Sequence, residues 1–575
     1  MERISRSMIF TLVLAVVLGA AGGWVAAGAL DDPPADPVGR REQQLEAAEL
    51  MMDVYDRVML NYVDEMDPRA IAEAAIKGML DQLDEHSVFL EPENYEDLRT
   101  STEGEFGGLG IVIQPRDHYP TVMSPMEGTP AYYMGIQGGD QIIEIEGEST
   151  FDFTSRQAVE QLRGPKGSRV NITIHRPGRE DPIPLTITRD IIKVESVPYA
   201  FMMGDIGYIR IQNFAKTTVD ELREKLAYLD AQNMKGLVLD LRFNPGGLLD
   251  AAKRVSELFL ERGTLLVYTK GRLPSNSMSF YAERKGESLA RVPMMVLVNG
   301  SSASASEIVA AALQDHDAAL LVGKTTFGKG SVQTVFPLNE TEALKLTTAR
   351  YYTPSGRSIH KDREEEGHHL NADNPLTEED ESLQKGPAET EVPRFKKDRY
   401  TTDSGRVVYG GGGVTPDIEI DQSYRTDFEM AVERDGALFS FAVDYVNAHP
   451  DLPADWRPDA KVLAEFGKYL GERENIAEYL GDFKLSLSDS LLTANHDFLE
   501  WGVRREVLRR TQGAQAAYEV AIEQDTQLHD ALELFKQAHT LDELLALATK
   551  WNEEAMAKAE ADSAAAASPE TVEAH

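Results

Sequence analysis

Three short runs in the middle of the chain, GLVLDL from Gly236, PMMVLVN from Pro293 and ALLVG from Ala319, are almost continuously apolar. A strand with water on one face alternates apolar and polar residues, whereas a strand buried on both faces does not. The stretches between and around them, TVDELREKLAYLDAQ, LLDAAKRVSELFLE and SEIVAAALQ, carry helical periodicity. From Ile191 onward the chain therefore reads as an α/β sheet with crossover helices, closing on the β-rich LKLTTARYYT.

At 575 residues there is more chain than one such core needs, and about three or four domains are expected. Arg3 and Arg6 precede an uncharged run from Met8 to Leu30, then Asp31 and Asp32 follow. The run is long enough to span a bilayer with its positive end inside. It also reads as a cleaved signal peptide, with Ala27-Gly28-Ala29 as the cleavage site. Either way residues 1–30 export the body of the chain, and the expected location is the periplasmic side of an inner membrane, anchored or released. Residues 31–40 are a proline-rich spacer and 41–102 read as mostly helical. Residues 103–190 are glycine-punctuated and β-rich, with runs GLGIVIQ, QIIEIEG and RVNITIHR. The α/β core is assigned to 191–360 and 404–420. Between its parts, 361–403 is charged and poor in aliphatic residues, so a mobile insertion is expected. A helical domain is expected over 421–556, for self-association or adaptor docking, with a disordered tail over 557–575.

Net charge is −38, which argues against nucleic acid as a partner. With no cysteine, thiolate zinc sites, disulfides and a cysteine nucleophile are excluded. His360, His368 and His369 lie in or beside the charged insertion without regular ligand spacing, so no metal and no cofactor is expected.

The chemistry-bearing residues cluster in VLVNGSSASASEIVAAALQDHDAALLVGKTTFGKGSVQ, Val296–Gln333. Ser304-Ala305-Ser306-Glu307 fits an S-x-x-E capping box, so Ser304 alone reads as a helix cap. The same place offers unpaired backbone N–H groups and the positive end of a helix dipole, both suited to an oxyanion. Lys329 sits in a glycine-flanked turn that lacks the P-loop pattern. A lysine becomes a base only when burial lowers its pKa from about 10.4, and Phe327, Val332 and Val335 offer apolar surroundings. Gln333, at i+4, carries a neutral amide toward the same side as Lys329. The loop DLRFNPGG, from Asp240, reads alone as an ordinary strand-to-helix turn; its Gly246 and Gly247 also allow close backbone approach to a carbonyl. His316, twelve residues past Ser304, lies about 18 Å along a helix at 1.5 Å per residue, too far to share a proton.

Together VLVNGSSASASEIVAAALQD, VGKTTFGKGSVQ and DLRFNPGGLL closely resemble the carboxyl-terminal processing peptidases, or tail-specific proteases. The resemblance runs from about Tyr55 to Ile420 and includes AIKGMLDQLDEHSVFLEPENYEDL, YYTPSGRSI and GVTPDIEI. It implies a crotonase/ClpP-like α/β protease core, with Ser304 as nucleophile, Lys329 as general base and Gln333 positioning the lysine. An oxyanion hole from the amides of Gly247 and Ala305 is implied as well. The β-rich module resembles a PDZ domain inserted in that core, with Gly108, Leu109, Gly110 and Ile111 as its carboxylate-binding loop. A loop of free N–H groups beside an open sheet edge suits a peptide terminus. The expected function is an exported Ser–Lys endopeptidase acting on unstructured protein C-termini. A catalytically silent tail-binding protein and an acyl-transfer or thioester enzyme are the alternatives. Two departures from the family plan stand out: about 50 residues between GRSI and GVTPD, and the long helical region after Ile420.

Overall fold

The computed structural model describes residues 37–283, 292–361, 398–421 and 425–566. It divides into Met1–Asp84 and Glu85–His575. The first unit holds helices Pro37–Asn61 and Pro68–Leu80, the second capped by Asp67 and opened by a proline at its first turn. The Tyr55 hydroxyl ties the two by donating to the Pro68 carbonyl at 3.2 Å. The first helix begins four residues earlier than the expected spacer allows, because Pro37 suits a helix start. Residues 1–30, expected to be an export signal or membrane anchor, lie outside the described residues.

In the larger unit the apolar runs form a six-stranded sheet in the order Tyr199–Met203, Ile206–Arg210, Gly236–Asp240, Met294–Val298, Leu320–Gly323, Ile418–Glu419. The first pair is antiparallel and the rest are parallel, with Leu239 beside Val296 and Val296 beside Leu321. Successive residues face opposite sides. Leu237, Leu239, Val296 and Leu321 pack in one core with helices Thr218–Asp230, Leu249–Ser256 and Ala305–Asp315. Val238, Met295, Leu297, Leu320 and Val322 pack in a second core with Leu528, Leu534, Phe535, Leu544 and Leu545. That second layer consists of helices Thr526–Gln537 and Leu541–Ala566.

This corrects the single helical domain expected over 421–556. All three crossover helices cover one face of the sheet, so the other face needs a separate cover, and the end of the chain supplies it. The earlier part, from Asp427 to Gln512, is a helical bundle with its own core around Phe428, Phe441, Phe466, Leu470 and Val503. Order also continues past the expected end: the alanine-rich stretch extends the last helix to Ala566, as alanine propensity favours. Residues 567–575 lie outside the described residues.

A second, antiparallel sheet carries Leu265–Gly271, Ser279–Tyr281, Ser331–Pro337 and Ala343–Tyr352, with Val88–Leu90 on its edge. Val88–Leu90 lies where helix was expected; its SVFL run favours an extended strand over the helical periods flanking it. The charged insertion also needs correcting at its end. Arg399–Thr401 pairs with Val407–Tyr409, and the backbone of Asp403 donates to the Asp315 carbonyl at 2.9 Å. Residues 362–397, with His368 and His369, lie outside the described residues.

The β-rich module has its own core, including Leu109, Val122, Ile142, Ile145, Ile172 and Ile187. Its helix Ser155–Leu162 is capped by a Thr154–Gln157 box. Chain entry and exit run together as Glu105–Gly108 against Asp190–Lys193, close to the expected limits of 103 and 190. The module leans on the bundle, where Arg116 lies over Phe439 and Arg510 donates to the Gly138 carbonyl.

Candidate active site

Ser304 stands at the mouth of helix Ala305–Asp315 with φ 53° and ψ −111°, a strained backbone for a residue with a side chain. Its neighbours hold it there. The hydroxyls of Ser302 and Ser306 are buried and donate to the Leu241 and Asn244 carbonyls at 2.8 and 2.9 Å. Both carbonyls belong to the strand end and turn that run into NPGG, so the serine turn is stitched to that loop. The Ala303 N–H adds a third stitch, to the Asn244 carbonyl at 3.0 Å. Ser304 itself is half-buried.

The loop returns the contact. Gly246 has φ 102°, and a Cβ there would lie 2.8 Å from Ser304 Cβ and 2.9 Å from the Ala305 nitrogen. Only glycine permits that approach. The Asn244 side chain accepts from the Gly246 N–H at 2.9 Å and donates to the Ile211 carbonyl at 2.9 Å. Among the described residues the N–H groups of Gly247 and Ala305 have no acceptor. Two uncommitted donors therefore flank Ser304, one from the loop and one from the helix terminus.

Lys329 reaches the same place through Glu307. This buried carboxylate accepts from the Ser304 N–H at 2.8 Å and the Lys329 N–H at 2.9 Å, both on Oε2. Its other oxygen accepts from the Gly328 N–H at 2.8 Å and the Thr326 hydroxyl at 2.5 Å. Burial pushes the Glu307 carboxyl up to about 7, against the opposing pull of those four donors. From the opposite side the Tyr351 hydroxyl bonds the carbonyls of Ser304, at 3.2 Å, and Lys329. Burial first, and the Glu307 charge second, raise the Tyr351 phenol well above its usual range, so it stays a donor. One acid and one phenol thus clamp the two backbones together. Glu307 was visible as a capping-box acid, but neither its grip on the lysine loop nor Tyr351 had a local signal.

Gln333 lies on the strand after Lys329, past a register shift between Val332 and Gln333. Its amide donates to the Ser331 hydroxyl at 2.8 Å and more weakly to Thr347 at 3.4 Å. His316 is engaged elsewhere, with Asp403 and the Leu265 carbonyl at 2.7 Å each. Other recurrent phrases brace this frame. Arg357 of GRSI, fully buried, pairs with Asp315 at 2.7 Å, and Asp417 of GVTPD accepts from the Leu321 N–H at 2.8 Å.

Gly108, Leu109, Gly110 and Ile111 line a separate apolar groove with Phe106, Val159 and Leu162. The carbonyls of Leu109 and Gly110 are taken by Ala131 and Met126, while their N–H groups have no acceptor among the described residues. A Cβ on Gly110 would collide with Thr129 at 2.3 Å, so the loop needs glycine.

Residues 205–366 match the peptidase family S41, and residues 98–175 match the PDZ domain. The chain is 41% identical over 386 residues to the carboxy-terminal-processing protease of Bartonella bacilliformis, covering 65% of this chain and 86% of that one. It is 40% identical over 296 residues to the carboxyl-terminal-processing protease of Synechocystis sp., covering 50% and 68% respectively. Among solved structures it is similar to a photosystem II D1 C-terminal processing protease, at 32% identity and a TM-score of 0.31, covering 53% of this chain and 82% of that one. The chain belongs to peptidase family S41, as a carboxy-terminal-processing serine protease with a PDZ domain.

Proposed function

We propose that this peptidase is an extracytoplasmic endopeptidase with a Ser304–Lys329 dyad, delivered by its N-terminal segment to the periplasmic side of an inner membrane. The PDZ groove at Gly108–Ile111 holds the carboxylate and apolar side chains of an unstructured C-terminus, and the core cuts upstream of it. The observation that carries this is the Glu307–Tyr351 clamp, which holds Ser304 beside Lys329 while the Gly247 and Ala305 N–H groups remain uncommitted.

Neutral Lys329 removes the hydroxyl proton as Ser304 Oγ attacks the scissile carbonyl. As the Oγ–C bond forms, the carbonyl π electrons move onto its oxygen, and the Gly247 and Ala305 amides hold that negative charge. Collapse expels the amine, which takes the proton back from Lys329. Water, deprotonated by the Lys329 amine, then attacks the acyl ester, and Lys329 returns that proton to Ser304 Oγ as the ester bond breaks. Gln333 orients Lys329 in this reading without competing for its proton.

The test is incubation with a denatured protein ending in apolar residues. Wild type is expected to cleave it, with Ser304→Ala and Lys329→Ala reduced by at least about 10³-fold. Cleavage by all three at one rate refutes the dyad, and wild-type binding without cleavage favours a silent tail-binding protein.

A further inference from the structure

The loop that presents Gly247 begins with Arg242, and Arg242 is held by residues nearly three hundred positions away. Its guanidinium spans two carboxylates. Nε and Nη2 bond Asp240, the closest contact at 2.6 Å. Nη1 and Nη2 bond Asp525 at 3.0 and 2.5 Å, and Nη1 also bonds Gln527 at 3.0 Å. The Arg242 side chain is 6% exposed and that of Asp240 is not exposed. Burial alone would raise the Asp240 carboxyl and lower Arg242; their mutual attraction, with Asp525 added for Arg242, wins and keeps both charged.

Asp525 sits at the start of the helix Thr526–Gln537 that covers the central sheet, and it caps that helix through the Leu528 N–H at 2.9 Å. Gln527 donates in turn to the Ile420 carbonyl at 2.9 Å. A second link runs nearby: the Tyr208 hydroxyl bonds Asp240 and Tyr518, each at 2.7 Å. The next residue in the loop, Phe243, has φ 57° and donates its N–H to Asn299 at 3.0 Å. A strained residue persists only where its surroundings over-determine it, and Arg242 is the fixed post on its N-terminal side.

We infer that Asp525 is a positioning residue for the peptidase reaction: through Arg242 it fixes the turn that aims the Gly247 N–H at the developing oxyanion. The C-terminal helical layer is then a working part of the site as well as a cover for the sheet. This rests on the oxyanion role proposed above for Gly247. Losing one oxyanion donor costs about 10²–10³-fold in rate; misaiming one costs less, about tenfold.

The test compares wild type with Asp525→Asn, cleaving the same denatured substrate with an apolar C-terminus. Asparagine keeps an oxygen for the Leu528 N–H, so the helix start survives while the charge facing Arg242 is lost. The expected result is a kcat about tenfold lower with KM within about twofold, since the affected contact forms only in the transition state. Thermal unfolding is read alongside, and a kcat loss accounted for by a smaller folded fraction overturns the proposal. An unchanged kcat overturns it too. In an Arg242→Gln background Asp525→Asn is expected to add almost nothing, whereas a full tenfold further loss shows that Asp525 acts by another route. Full activity in Ser304→Ala instead removes the reading of the site on which this inference rests.

Discussion

Glu307 accepts four hydrogen bonds, three of them from backbone N–H groups that can only donate, so a proton on Oε2 would face the Ser304 and Lys329 N–H groups directly. With its carboxyl pushed up to about 7, the acid takes up that proton within the working range of many enzymes. The native state holds this proton between the ordinary carboxyl value of 4.5 and about 7, where the unfolded chain has lost it. The contribution to folding is therefore complete below that window and fades as pH rises through it. Activity moves the other way, since protonation frees the Ser304 or Lys329 backbone. kcat/KM is expected to fall as pH drops through about 7, and Glu307→Gln to lower kcat/KM by about 10–10²-fold. That loss reflects an amide that cannot satisfy all four donors, each unsatisfied group costing about 1–3 kcal/mol. A pH–rate profile of the variant should have a shallower acid limb, because the Glu307 proton is gone and only that of Lys329 remains; an acid limb of unchanged steepness refutes the assignment. At this scale the sequence showed half of the device. S-x-x-E marks Glu307 as the partner of the Ser304 N–H, but its second grip joins residues 21 and 22 positions further on, which only folding brings together.

The elements that matter most are the turn at Gly246 and the serine helix, which meet without room for a methyl group. Gly246→Ala places Cβ against the Ala303 carbonyl and Ser304 Cβ, both at 2.8 Å, on a backbone with φ 102°. Ser304 or the loop must shift, so kcat/KM is expected to fall by about 10²-fold or more while overpacking costs about 1–3 kcal/mol of stability. Steady-state kinetics with a thermal melt separate the two; activity within twofold of wild type would mean that the turn does not set the site. The inner strands were legible because double burial writes itself as continuous apolar sequence. Val88–Leu90 was not, since three edge residues carry too little pattern against helices on both sides. Arg399–Thr401 hid in a charged stretch whose composition gave no hint of the pairing.

At the scale of the whole molecule, the final helices divide the C-terminal region into a bundle and a structural layer. The Asp427–Gln512 bundle keeps its own core and meets the β-rich module at Phe439 and Arg510. A chain ending at Asp421 loses Leu528, Leu534, Phe535, Leu544 and Leu545 from the second core. At about 1.5–3 kcal/mol each, these five rival the about 5–15 kcal/mol that holds a typical domain together. Such a chain is expected to aggregate and show no cooperative melt, which light scattering and circular dichroism will report; a soluble, active product argues that the layer is dispensable. Helix content was readable there, but its destination was not, because nothing local says which face of which sheet a helix covers. The order of layers also sets a timetable for synthesis. Strands from Tyr199 to Gly323 leave the ribosome about two hundred residues before the helices that finish the second core. Through that interval one sheet face has no cover, and Arg242 lacks Asp525. By the inference drawn above, a copy that stops short of Asp525 is expected to cleave at least about tenfold more slowly than the full chain, with one face of its central sheet open to aggregation.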